Sequence, residues 1–262
     1  MSEIETISPG DAPDPAPSLA ARLRALTPAR VALGRIGVSL ATRDLLDFQA
    51  CHARARDAVH ARLESAALAS TLSALSGSEV LRLRSAAPER ITYLQRPDLG
   101  RILEEPSQIL LAGRGSDSCD LALIVADGLS ALAVERHAAP LLAELLPRLG
   151  SWRLAPVCIV EQGRVAISDS IGSALGAQIA AILIGERPGL NSPDSLGVYI
   201  TYGPRAGRTD AERDCISNVR PEGLSYAQAA AEFACILTEA RRLRLTGIAL
   251  KQAMRQIEKA KL

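Results

Sequence analysis

The apolar run Gln178–Leu183, "QIAAIL", passes into Ile184-Gly185-Glu186-Arg187-Pro188-Gly189-Leu190. A carboxylate and a guanidinium placed between two glycines and stiffened by proline offer hydrogen-bond acceptance and charge in a fixed turn, not a nucleophile. Three other loops carry similar chemistry: "ADGLS" with Asp127 and Ser130, "VEQGRV" ending at Val165, and "TYGPR" ending at Arg205. Each follows an apolar run. In an open parallel sheet, ligands bind beyond the carboxyl ends of the strands, so the four loops predict one cleft. Asp127 and Ser130 have a second reading as caps of the following helix, and Arg187 and Arg205 as local ion pairs.

Several chemistries are excluded by pattern. No G-x-G-x-x-G follows a strand and no G-x-x-x-x-G-K-[ST] occurs, so the common dinucleotide and nucleoside-triphosphate cradles are missing, and "GRGSDS" does not replace them. There is no G-x-S-x-G elbow. His52, His60 and His137 lack a metal-binding spacing, and Cys51, Cys119, Cys158, Cys215 and Cys235 contain no C-x-x-C pair and read as reduced thiols. The loops read as holding a large ligand without reacting with it.

The elements that position these loops are legible as periodicity. "CDLALIVA", "APVCIV", "IAAILI" and "LGVYIT" are strand-like and alternate with the helical "ALAVERHAAPLLAELLPRLG" and "ISDSIGSALGAQ", and "SYAQAAAEFACILTEARRLRLTG" closes the series as a helix. Continuous apolar strands imply burial on both faces. The expected fold is α/β: a Rossmann-like, mostly parallel sheet covered by helices, with a helical N-terminal region. Residues 1–18, acidic with four prolines, are expected to be a disordered tail. Residues 19–112 form the helical region with short strands, and 113–262 the Rossmann-like domain. Within the former, residues 42–70 predict an amphipathic helix with Leu45, Leu46, Phe48, Ala55, Val59 and Leu63 on one stripe and an arginine-rich opposite face. "EVLRLR" and "RITYLQ" predict a hairpin or two edge strands, and "RPDLGRILEE" the opening of a helix.

Composition narrows the partners. The chain has 262 residues and 48% hydrophobic content, enough to bury a core. Thirty basic residues balance 29 acidic ones and only 3% are aromatic, which argues against nucleic acid. No apolar stretch approaches the roughly 20 residues of a membrane span, and the start lacks a signal-peptide pattern, so a cytoplasmic protein is expected.

Read together, "ARVALGRIG", "DFQACHARARDAVH", "YLQRPDLGR", "GRVAISDSIGSALGAQ", "ILIGERPGL", "SLGVYITYGPR" and "DCISNVRPEGLSYAQAA" closely resemble the light (small) subunit of ethanolamine ammonia-lyase, over about residues 28 to 250. The resemblance implies a subunit of an adenosylcobalamin-dependent lyase that converts ethanolamine to acetaldehyde and ammonia by radical chemistry. It implies a heavy (large) subunit that binds ethanolamine and carries the catalytic residues, in a higher-order hetero-oligomer, while the light subunit completes the cobalamin site. It also implies that the cofactor contacts are the valine of "GRV", the glutamate of "GERPGL" and the cysteine of "CISN", here Val165, Glu186 and Cys215. Glu186 can accept from an amide or hydroxyl, Val165 can pack or offer its backbone, and Cys215 can contribute backbone, thiol or packing. A D-x-H-x-x-G motif is absent, so the cobalt is expected to keep its own lower base. Some relatives carry an amphipathic N-terminal extension addressed to a bacterial microcompartment, from which the acidic, proline-rich residues 1–18 depart. The alternative is a stand-alone Rossmann-like nucleotide-binding enzyme.

Overall fold

β4 (Cys119–Ala126) is buried at every position, as a strand must be when helices cover both faces of a parallel sheet. Its side chains divide by parity. Leu121, Leu123 and Val125 join a core with α6 (Ala131–Leu149) and α8 (Tyr226–Leu243). Ala122, Ile124 and Ala126 join a second core with α7 (Ile167–Ala174). On that second face a β-carbon on Gly172 would stand 2.7 Å from the Ala180 β-carbon, so two small residues let α7 lie close to the sheet. The structure, a computed structural model, describes residues 18–27, 29–114 and 118–260. The expected tail at 1–18 lies, apart from Ser18, outside the described residues.

β5 (Val157–Glu161) and β6 (Ala177–Gly185) flank β4 in parallel, and β3 (Val80–Arg84) pairs in parallel with β5. β7 (Leu196–Tyr202) runs antiparallel to β6, and β8 (Asp214–Val219) antiparallel to β7. The sheet order is β3-β5-β4-β6-β7-β8. The expected α/β sheet, mostly parallel and helix-covered, is present. α6 carries the chain from β4 to β5 on one side, and α7 brings it back past β4 to β6 on the other. β4 and β6 therefore sit where the strand order reverses, the place where α/β sheets open a crevice.

Three local expectations are corrected. "RITYLQ" is the helix α4 (Arg90–Gln95), because its buried residues, Arg90 and Tyr93, fall at helical spacing and not in alternation. "RPDLGRILEE" supplies a 3₁₀ turn at Leu99–Arg101 and only the start of α5 (Glu105–Ala112). "LGVYITY" does not continue the parallel series: residues 186–195 are too few for a crossover helix, and the chain reverses as a hairpin. "TYGPR" consequently leaves β7 at the opposite end of the sheet from Glu186.

The chain divides into two compact units, Met1–Cys51 and His52–Leu262. In the first, Ser18 caps α1 (Leu19–Leu26), β1 (Arg35–Ile36) and β2 (Ser39–Leu40) pair antiparallel, and Arg30 meets Asp47 at 3.0 Å. α2 (Thr42–His60) begins in the first unit and ends in the second. Its expected apolar stripe is solvent-exposed at Leu45, Leu46 and Phe48. In the second unit, α3 (Ser65–Ser76) packs beside α6, and α9 (Ile248–Ala260) follows α8. Among the described residues no helix is long and apolar enough to cross a membrane.

Candidate functional site

The carboxyl ends of β4 and β6 are joined backbone to backbone. Leu129 N–H donates to Gly185 C=O at 2.9 Å. A β-carbon on Gly128, whose φ is 55°, would lie 2.3 Å from the Gly185 oxygen, and one on Gly185 would lie 2.0 Å from the Ser130 oxygen. Both glycines are thus required by close approach. Ser130 caps α6, accepting from Ala133 N–H at 3.2 Å, as the sequence suggests. Asp127 does not cap it. Its Oδ1 accepts from Gly163 N–H at 3.1 Å, and its Oδ2 faces Arg90 Nη1 at 3.5 Å.

This Arg90–Asp127 pair ties the loops after β3, β4 and β5 together. Arg90 donates to Val59 C=O at 2.6 Å, Gly128 C=O at 2.8 Å and Gln162 Oε1 at 3.3 Å. Burial outweighs the pull of Arg90 and pushes the Asp127 carboxyl up to about 6, so it is ionised at neutral pH. Gln162 is held at φ 58°, a left-handed conformation that non-glycine residues adopt at a cost. Tyr93 donates to Gly163 C=O at 3.0 Å, and its ring lies under both Arg164 at 4.2 Å and Arg90 at 4.9 Å.

Over this base a cleft of about 390 Å³ opens, lined by Tyr93, Leu129, Val165, Ile184, Glu186 and Tyr199 among others. Val165 enters it just before α7. Glu186 enters from the end of β6. Its carboxylate accepts from the Ser195 and Ser217 hydroxyls, and from Asn218 N–H at 3.2 Å. Among the described residues no guanidinium pairs with it, so Glu186 is not the partner of the neighbouring Arg187. Cys215 is opposite Tyr199 in the β7–β8 ladder. Desolvation pushes the Cys215 thiol up, leaving it uncharged at neutral pH.

Val165, Glu186 and Cys215 are thereby brought to one face, the α7 side of the sheet, where β7 and β8 extend beyond the cover of α7. Arg187 lines the same cleft and is exposed, whereas Arg205 belongs to the other end of β7. The buried Arg213 holds the arrangement: it forks onto Asp169 at 2.8 and 2.6 Å and reaches Thr201 Oγ1 at 2.8 Å. Asp169 lies in the first turn of α7 and Arg213 just before Cys215, so this pair fixes the helix bearing Val165 against β8. His137 is buried against Tyr226 at 2.8 Å and Asp194 at 3.4 Å. Among the described residues no group of three or more His, Cys, Asp or Glu could hold a metal ion.

Sequence reasoning missed Tyr93, Arg164 and Tyr199. Tyr199 had a signal, since it alternates with the buried Val198 and Ile200 and so must face the other side of β7. Tyr93 had none once its segment was read as extended.

The fold and cleft define a Rossmann-like α/β protein with an open, largely apolar site at the switch point of its sheet. Residues 17–251 match the family model described as ethanolamine ammonia-lyase light chain (EutC). A Ralstonia nicotianae protein named ethanolamine ammonia-lyase small subunit is 58% identical over 236 residues, covering 88% of this chain and 87% of that one. Small subunits from Azotobacter vinelandii (59% over 236 residues; 88% and 87% covered) and Pseudomonas syringae pv. tomato (56% over 234; 87% and 81%) are similarly close. The chain belongs to the ethanolamine ammonia-lyase light chain family.

Proposed function

We propose that this chain is the small subunit of a cobalamin-dependent ethanolamine ammonia-lyase and forms one wall of the adenosylcobalamin site, a large subunit supplying the substrate pocket and the catalytic residues. The observation that carries this reading is the placement of Val165 and Glu186, at the ends of β5 and β6, on the same side of the sheet as Cys215 within β8. The donor set fits a corrinoid, which presents apolar ring surface edged with amide N–H donors. Val165, Leu129, Ile184 and Tyr199 offer apolar contact, and Glu186 keeps free lone pairs on a carboxylate already fixed in direction by Ser195, Ser217 and Asn218. Cys215 contributes a neutral thiol and its strand backbone.

Adenosylcobalamin held there would supply the radical-initiating chemistry for converting ethanolamine to acetaldehyde and ammonia. This chain's residues hold and orient. Glu186 accepts from an amide of the ligand, Val165 packs against it, and the Arg90–Asp127 and Arg213–Asp169 pairs keep the loops in register. An open shelf covers only one side of such a ligand, which is why a second chain is needed to exclude water from the reacting centre.

The test is reconstitution. The isolated chain is expected to give no acetaldehyde from ethanolamine, and to restore turnover and cobalamin retention when mixed with a large subunit of this enzyme class. Acetaldehyde production by the chain alone, or full cobalamin retention by the large subunit without it, overturns the reading.

A further inference from the structure

The cleft continues past Arg164, Val165 and Tyr199 into a second lobe of about 480 Å³, bordered by Arg101, Arg208 and Asp210. This lobe differs from the first in charge. Arg208 is matched by Glu212, and Asp210 pairs with Arg213 at 3.5 Å while its side chain stands 95% exposed. Arg101 and Arg164 have no ion-pair partner among the described residues.

Arg164 is held in place with unusual care for a cation without a counter-charge. Its N–H donates to Gly100 C=O at 2.7 Å, and its Nη2 donates to Tyr93 C=O at 3.2 Å. Gly100 leaves it a channel, since a β-carbon there would stand 2.7 Å from Arg164 Cγ and 2.9 Å from Tyr93 Cε2. Its guanidinium stacks on the Tyr93 ring, whose other cation, Arg90, is balanced by Asp127. Arg164 Nε is buried and has no hydrogen-bond partner. Two guanidiniums on one ring with a single carboxylate leave a net positive charge facing the second lobe, and a buried donor without an acceptor is a standing cost that a ligand can remove.

We infer that this lobe is an anion subsite for a phosphate ester, with Arg164 as its anchor and Arg101 at its rim. The inference rests on the proposed corrinoid site and specifies which part of that ligand enters here: the phosphate that links the corrin to its lower base. An arginine fork suits phosphate oxygens in both geometry and charge.

Corrinoids with and without the phosphate test it, titrated into the complex reconstituted with a large subunit and read by equilibrium dialysis. The complex with the unaltered chain is expected to bind adenosylcobinamide phosphate roughly tenfold to a hundredfold more tightly than adenosylcobinamide. Arg101→Gln is expected to reduce that preference while leaving adenosylcobinamide affinity unchanged, and Arg164→Met, which also borders the first lobe, to lose more affinity for adenosylcobinamide phosphate than for adenosylcobinamide. Arg101 is exposed, so its variant keeps the test sound if Arg164→Met folds poorly. An unaltered preference in both variants, or an equal loss for the two corrinoids, overturns the subsite. Binding of no corrinoid by the unaltered complex overturns the corrinoid reading itself, and this assignment with it.

Discussion

The carboxylate of Glu186 lies over the α-carbon of Gly197, where a β-carbon would stand 2.9 Å from Oε1 and 3.1 Å from Cγ. Glu186 directly follows β6 and its acceptor contacts with Ser217 and Asn218 are on β8, so the side chain must pass across the intervening strand. A glycine on β7 leaves that path open. Gly197→Ala is expected to displace the carboxylate, the end of a flexible side chain, and so to weaken cobalamin binding with little change in stability. A cobalamin titration of the reconstituted complex should register the change; a variant that binds like the unaltered chain would show that the crossing is incidental.

Removing the carboxylate itself separates ligand binding from stability. Glu186→Ala is expected to weaken cobalamin binding by about 1–3 kcal/mol, or roughly tenfold to a hundredfold. Ser217 is exposed and can be rehydrated, while the buried Ser195 hydroxyl loses an acceptor, so stability should fall by about 1–2 kcal/mol. Glu186→Gln should lose less affinity, since one oxygen still accepts. Equal affinity of the alanine variant and the unaltered chain would remove Glu186 from the site.

The buried fork between Arg213 and Asp169 makes a different prediction. Arg213→Met strands a carboxylate in the interior and should cost about 3–5 kcal/mol. Asp169→Leu combined with Arg213→Met should recover much of that loss, because no charge is left unpaired. Thermal denaturation of the single and double variants decides it: a double variant as unstable as the single one would mean that geometry, not charge, is what the pair supplies.

Asp127 gives a pH dependence with a definite sign. Burial raises its carboxyl from 3.8 to about 6, so its stabilising contribution is complete below pH 3.8 and is lost as pH rises through 6, amounting to about 3 kcal/mol. Asp127→Asn abolishes this titration. The stability difference between the two proteins, measured by urea unfolding near pH 4 and pH 7.5, should therefore shift toward the asparagine variant at the higher pH. A difference that stays constant would mean that Arg90 and the Gly163 amide hold the carboxyl near its ordinary value.

Much of this fold is legible in the sequence because burial on both faces leaves an unbroken apolar run, as in "LALIVA" and "IAAILI". The turn at Glu186 is legible for the opposite reason, being an abrupt break in such a run. The direction of β7 is not, since an apolar strand carries the same pattern either way and only the length of residues 186–195 decides it. α4 is missed because six residues satisfy both periods, and what settles them is Arg90 reaching backbone far away in sequence. The resemblance supplied Val165 and Cys215, neither of which has a side chain that would single it out. The arginine pairs that set their spacing join positions as distant as Asp169 and Arg213, which no local pattern reveals.

The meeting of Gly128 and Gly185 has a kinetic consequence. Because the β4 and β6 loops touch through backbone with no room for a β-carbon, the floor of the cleft cannot widen to admit a ligand without breaking the Leu129–Gly185 hydrogen bond. A wall built in this way does not fold around what it binds. Capture should then be a matter of two preformed surfaces closing on the ligand, with association rates set by encounter and residence times set by how long the chains stay together.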